Sequence, residues 1–242
     1  MVKSVQVVSV SSRVPTEPYY RFSTYLESLK RFQFKPVILG MNEPWGGLIT
    51  KPNLLRNWLR AGKNKADRII VCDAWDIVFC EHPQSIDERA ASLYGDAIVF
   101  NAEKACWPRT DLADHFPDTG SPWRFLNNGF FCGPAEKMLA CLEWQNLDAL
   151  GFDRRNADDT GWIYPDDQEQ GQIAYIAQPV DMVVDTACEL AQCLSASFVK
   201  EFDTRGERIR NRITGTTPGV FHFNGGSKDK LMPKFLKKWG LS

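Results

Sequence analysis

Ile69-Ile70-Val71-Cys72-Asp73-Ala74-Trp75-Asp76-Ile77-Val78-Phe79 sets an unbroken apolar run against two acids. The run ends on Asp73, Asp76 follows three positions later, and the chain then turns apolar again. A short apolar run of this kind suits a strand buried on both faces, as in a parallel sheet. In open α/β sheets, ligands bind beyond the carboxyl ends of the strands. Two carboxylates at such an edge can hold a hard divalent cation and, through it, a diphosphate. The spacing alone favours a surface turn with two solvated acids, so the rest of the chain has to decide.

Working outward, residues 5–10 read as a first strand, followed by the polar turn Ser11-Ser12-Arg13 and a segment with Pro15 and Pro18. Tyr19, Phe22, Tyr25, Leu26 and Leu29 recur at helical spacing, and residues 36–40 read as a second strand. A loop with Trp45, Gly46 and Gly47 leads to a helix over 51–60 carried by Leu54, Leu55, Trp58 and Leu59. This β-α-β-α-β order, ending on the Asp73 strand, predicts an α/β fold with a Rossmann-like, mostly parallel sheet flanked by helices. Downstream, the pattern predicts a helix over 85–94, a buried strand over 96–100 and a polar, aromatic loop from Asn101 through Pro108 to Pro122. Residues 125–133 mix apolar side chains with Asn and Gly, and a helix is expected over 135–150. Residues 156–162 read as a loop, and Pro165-Asp166-Asp167-Gln168 opens a helix to Ala177. Residues 182–184 read as a short strand, and 200–212 as a charged, solvated stretch. Val220-Phe221-His222-Phe223 forms a strand that leads into a glycine turn and a basic tail with Lys228, Lys230, Lys234, Lys237 and Lys238.

With 242 residues, 43% hydrophobic and 24% charged, the chain is expected to form one α/β domain over 1–242. A net charge of −1 argues against charge-driven nucleic-acid binding. No stretch is long and apolar enough for a membrane span, and the N-terminus does not read as a signal peptide. Seven cysteines without a C-x-x-C pair indicate neither a full disulfide set nor a zinc knuckle. A reduced cytoplasmic protein is the expectation, of bacterial, phage or viral origin. No G-x-G-x-x-G, P-loop or G-x-S-x-G occurs, which removes the simplest dehydrogenase, NTPase and hydrolase readings.

Of three histidines, His222 stands apart because Asn224, Gly225, Gly226 and Lys228 follow it. The glycines let backbone N–H groups approach an anion, and Lys228 adds a point charge. An imidazole with two carboxylates suits Mn2+, provided His222 lies near Asp73 and Asp76. At Asp166-Asp167-Gln168, one acid is explained by helix capping. The second acid and the amide suit hydrogen bonding to sugar hydroxyls and stabilisation of charge at an anomeric carbon, and a purely structural helix start fits the three residues equally well.

Taken together, these stretches resemble the glycosyltransferase domain of the procollagen lysyl hydroxylase/glucosyltransferase family, of GT-A type. The matching pieces run in order: Glu43-Pro44-Trp45-Gly46-Gly47, residues 72–79, Val99-Phe100-Asn101-Ala102-Glu103 with Cys106-Trp107-Pro108, residues 125–133, Asp166-Asp167-Gln168, and Phe221-His222-Phe223-Asn224-Gly225-Gly226. The resemblance implies that Asp73, Asp76 and His222 hold Mn2+ or another divalent cation, and that Trp75 packs on uridine. Val10, Trp45 and Lys51 fall on the nucleotide side, Asp166 and Asp167 near the donor sugar, with Gln168 beside them. Asn127 and Asn128 would line the sugar pocket, and Asn224, Gly225, Gly226 and Lys228 the turn over the diphosphate. The family writes a His-Gly-Asn-Gly turn, and Phe223 here replaces the glycine, which predicts a different approach to the diphosphate. The implied reaction transfers a hexose, glucose or galactose favoured, from a UDP-sugar to a hydroxyl of a protein, glycan or small-molecule acceptor. Two alternatives stay open at this point: a nucleotidyltransferase that makes sugar nucleotides, and a non-catalytic protein that binds nucleotide sugars.

Overall fold

The decisive strand, β3 (Arg68–Asp73), alternates between two cores. Ile69 and Val71 pack into one apolar cluster, while Ile70 and Cys72 pack into another on the opposite side. Only a strand covered on both faces shows this pattern. The computed structural model describes residues 4–12, 22–145 and 166–241.

β3 lies beside β1 (Val5–Val10), which also pairs with β2 (Val37–Leu39), all three parallel. Helix α1 (Phe22–Lys30) links β1 to β2, and α2 (Thr50–Arg60) links β2 to β3. Beyond β3 the sheet continues with β6 (Phe125–Pro134), β5 (Ile98–Glu103) and β7 (Met182–Asp185), in the order β2-β1-β3-β6-β5-β7. β6 runs antiparallel to both neighbours, and the rest of the sheet is parallel. One face is covered by α2 and α4 (Ala135–Trp144), through Leu55, Trp58, Leu59, Met138 and Leu142. The other is covered by α1 and α3 (Pro83–Tyr94), through Tyr25, Leu29, Ile86 and Ala90. Fully burying a Leu, Ile or Met among them contributes on the order of 1.5–3 kcal/mol.

After Asp73 the chain leaves this sheet. Residues 74–76 turn it into β4 (Ile77–Phe79), the edge of a second sheet ordered β4-β11-β8. Its middle strand, β11 (Val220–His222), is antiparallel to β4 and parallel to β8 (Ala191–Cys193). The C-terminal helices α6 (Ser227–Lys230) and α7 (Met232–Trp239) close over it.

Several sequence expectations change. Asn101, Ala102 and Glu103, expected in a loop, extend β5 and are buried, because β6 on one side satisfies their backbone. Residues 200–212, expected to be solvated, include the antiparallel pair β9 (Phe202–Asp203) and β10 (Arg210–Asn211), with Phe202, Ile209 and Asn211 buried. The basic tail is an amphipathic helix whose Phe235, Leu236 and Trp239 pack on Phe221 and Phe223. The Pro15/Pro18 segment, the helix start at Tyr19, the helix end near Leu150, residues 156–162 and Pro165 lie outside the described residues. Among the described residues, no helix is long and apolar enough to cross a membrane.

Candidate functional site

The turn between β3 and β4 brings the two acids and the histidine together. Asp73 ends β3, paired in register with Val10 at the end of β1. Asp76 precedes β4, whose Ile77 is paired with His222, and the backbone N–H of Phe223 donates to Asp76 O at 2.8 Å. His222 Nε2 therefore lies 3.6 Å from Asp73 Oδ2 and 3.5 Å from Asp76 Oδ1. One ligand atom from each of the three residues falls within 4.8 Å of the others.

The donor set fits a divalent ion. Two carboxylates and an imidazole are the mixed N/O set that Mn2+ accepts. Adjacent ligands around a hard octahedral ion sit about 3 Å apart, close to the spacings found. Two lysines flank the acids. Lys51, in the first turn of α2, reaches Asp73 Oδ1 and Asp167 Oδ2, each at 2.6 Å. Burial opposes its charge, but Asp167 and Asp73 outweigh that and raise its pKa. Lys228 meets Asp76 Oδ2 at 2.9 Å. Burial also opposes ionisation of Asp76, yet His222 and Lys228 hold its carboxyl well below the usual range.

The acidic helix start divides its work between two residues. Asp166 is fully buried and its Oδ1 accepts from the Glu169 N–H at 2.7 Å, so it caps α5 (Asp167–Ala177). Asp167 instead faces Lys51. Asn128 Nδ2 donates to the Asp167 carbonyl at 3.0 Å, and the Asn128 N–H donates to Gln168 Oε1 at 2.7 Å. Asn127 Oδ1 accepts from the Gly129 N–H at 2.9 Å. The Asn128 and Gln168 amides thus tie β6 to α5 at the site's edge.

Trp45 stays 43% exposed. Trp75 is half-buried, its indole N–H donating to Ser11 Oγ at 3.0 Å, so one edge of its ring is fixed beside β1. Asn224 is committed within the protein. Its Oδ1 accepts from the Leu194 and Ser195 N–H groups, and its Nδ2 donates to Glu103 Oε2 at 3.0 Å. Gly225 and Gly226 remain exposed in the turn that follows. Phe223 does not crowd that turn: it is fully buried, edge-on to Phe235 at 5.8 Å, and points into the C-terminal core.

Three residues of the site escaped sequence reasoning. Glu103, at the end of β5, is buried and accepts from Gln168 and Asn224. Burial raises its pKa to about 7, against the opposing pull of Asn127, His222 and Asn224. Its signal was the one that marked Asp73, an apolar strand that ends on an acid. Gly129 carries the approach that makes the site: a Cβ there would lie 2.1 Å from His222 Cε1. The Cε1 side of the imidazole packs against bare backbone. Cys193 Sγ lies 3.6 Å from His222 Nδ1, on the ring's far side from the two acids, and burial pushes its thiol well above the ordinary range. Nothing local in the sequence links Cys193 to the site.

Comparison with known proteins agrees with this geometry. A family model described as PLOD GT domain matches residues 2–234. The chain is 30% identical over 235 residues to a procollagen-lysine,2-oxoglutarate 5-dioxygenase of Drosophila melanogaster, covering 90% of this chain and 30% of that protein. It is 28% identical over 245 residues to the human multifunctional procollagen lysine hydroxylase and glycosyltransferase LH3, covering 93% of this chain and 30% of that protein. A Caenorhabditis elegans multifunctional procollagen lysine hydroxylase and glycosyltransferase is 28% identical over 232 residues, covering 90% and 30%. The chain spans about a third of the length of these relatives. With a mostly parallel sheet of GT-A-like layout and a match along nearly its whole length, the chain belongs to the PLOD GT domain family of glycosyltransferases.

Proposed function

We propose that the protein transfers a hexose, glucose or galactose, from a UDP-sugar to a hydroxyl acceptor, in a single unit formed by this chain and with a divalent cation, Mn2+ favoured. The observation that carries the reading is the convergence of Asp73, Asp76 and His222 within 4.8 Å, at the carboxyl edge of β3. A bound cation supplies a Lewis acid for the departing diphosphate. The chain's own residues do the rest. Asp73, Asp76 and His222 hold the ion, and Lys228 with the exposed amides of Gly225 and Gly226 faces the phosphates. Val10, Trp45 and Trp75 bound the nucleoside side. Lys51 fixes Asp167, and Asn127, Asn128 and Gln168 brace the wall toward which the sugar lies. The acceptor is a hydroxyl on a protein, a glycan or a small molecule, the first being in keeping with relatives named for procollagen lysine chemistry.

UDP release from UDP-glucose and UDP-galactose, measured with Mn2+ and with EDTA, tests this. Turnover that needs the ion and disappears in Asp73→Ala is the expected result. Undiminished turnover in EDTA or in Asp73→Ala would overturn the reading.

A further inference from the structure

His222 offers Nε2 to Asp73 and Asp76, so its other ring nitrogen decides whether Nε2 carries a lone pair or a proton. A metal ligand needs the lone pair there, and the proton then sits on Nδ1. In many sites a carboxylate or a backbone carbonyl receives that proton. Here the group opposite Nδ1 is a sulfur: Cys193 Sγ, at 3.6 Å.

Cys193 is set there by the sheet. It ends β8, paired in register with His222 on β11, and is 0% exposed. Its sulfur is held from the other side by Asn101 of β5, whose Nδ2 donates to Sγ at 3.0 Å. Asn101 is itself buried, at 1% exposure. Sulfur lone pairs accept weakly, but a buried N–H without any acceptor is costly. Gly129 backs the ring, and a Cβ there would lie 2.8 Å from both ring nitrogens. The ring therefore has little freedom to turn toward another acceptor.

We propose that Cys193 is a positioning residue for the metal site: its sulfur accepts the Nδ1–H of His222, fixes that tautomer, and leaves the Nε2 lone pair facing Asp73 and Asp76. Asn101 positions the sulfur in turn. The inference rests on the metal reading given above. No covalent change is involved, only the placement of one proton on one of two nitrogens.

Mn2+ titration by calorimetry, with no donor or acceptor present, tests it on the wild type, Cys193→Ala and Cys193→Ser. Loss of such an outer partner costs about 10–100-fold in metal affinity. Cys193→Ala is expected to weaken Mn2+ binding within that range while its melting transition stays cooperative. Cys193→Ser, which keeps an acceptor, is expected to recover most of the loss. Equal affinity in a folded Cys193→Ala protein overturns the proposal. So does a Ser variant as weak as the Ala variant, because packing alone then explains the effect. Nitrogen-15 spectra of the histidines in the Mg2+-loaded wild type give a readout that needs no core variant. A protonated Nδ1 on His222 is expected, and a protonated Nε2 in the loaded protein overturns the proposal. Failure of the wild type to bind either ion would instead overturn the metal reading.

Discussion

Gly129→Ala is the sharpest perturbation the site permits. The glycine lies in β6, where the register with β5 slips between Phe100 and Asn101. Its φ lies outside the left-handed region, so the demand for glycine is one of space alone. An added Cβ would stand 2.1 Å from His222 Cε1 and 2.8 Å from both ring nitrogens. Carbon atoms in comfortable contact sit about 3.5–4.0 Å apart, so the ring has to retreat by more than about 1 Å. The strand is poorly placed to yield instead. The Gly129 N–H is tied to Asn127 Oδ1 at 2.9 Å, and Phe130 is paired with Cys72. Metal–ligand distances tolerate only about 0.2 Å. Overpacking costs about 1–3 kcal/mol of stability, which a folded domain can survive. Affinity for Mn2+ is expected to fall by more than the about 10–100-fold that follows loss of an outer-shell partner. Calorimetric Mn2+ titration is the assay. Gly206→Ala, away from the site, is the control, because a Cβ there meets nothing closer than Arg208 O at 3.6 Å. Wild-type Mn2+ affinity in Gly129→Ala would refute the reasoning, since it would mean that His222 is no ligand.

Three other outcomes follow from the geometry. Lys51→Met leaves Asp73 and Asp167 without their shared cation; thermal melts should show a less stable apoprotein and a larger upward shift on adding Mn2+ than in the wild type. Glu103 has a folded pKa raised to about 7, so the native state binds the extra proton and this group's contribution to stability falls as pH rises from about 4.3 to 7. In EDTA, the stability of Glu103→Gln relative to the wild type should therefore climb through that window and level off above it; a flat difference would contradict the shift. Arg68 and Asp87 are paired at 2.8 Å with side chains only 1% and 3% exposed. Arg68→Met removes the buried cation from that carboxylate and should cost about 3–5 kcal/mol, read from urea midpoints at constant slope.

The parallel half of the sheet was legible because burial on both faces writes itself as an apolar run, as in Val7-Val8 and Ile69-Ile70-Val71. Strand direction is not written that way. β6 pairs antiparallel with both neighbours, and its Asn127, Asn128 and Gly129 look like loop because the two amides and the bare glycine backbone serve the site. The C-terminal helix was hidden by its lysines, although Met232, Phe235, Leu236 and Trp239 keep a helical period. At the site, Asp73, Asp76 and His222 were readable as chemistry, and only their distance was missing. Glu103 carries the same signal as Asp73, masked by the polar residues that follow it and read as loop. Cys193 and Gly129 were unreadable in principle, because each matters through a residue far away along the chain. Phe223 makes a related point: a bulky residue in a glycine turn meets the ligand only if its side chain faces it, and here the side chain faces the core.

The switch from β3 into β4 has a consequence for folding order. Asp73 belongs to a sheet edge built from local β-α-β connections, whereas Asp76 and His222 belong to a ladder closed by chain from the far end of the sequence. Local contacts form early and distant pairings late, so the ion-binding constellation exists only once the last strand has docked. Ion binding then acts as a clasp between the two sheets. It favours the fully assembled state by mass action and raises the free energy of any opening that releases β11. Amide exchange should report this unevenly, with added Mn2+ slowing the amides of β4 and β11 far more than those pairing β1 with β2.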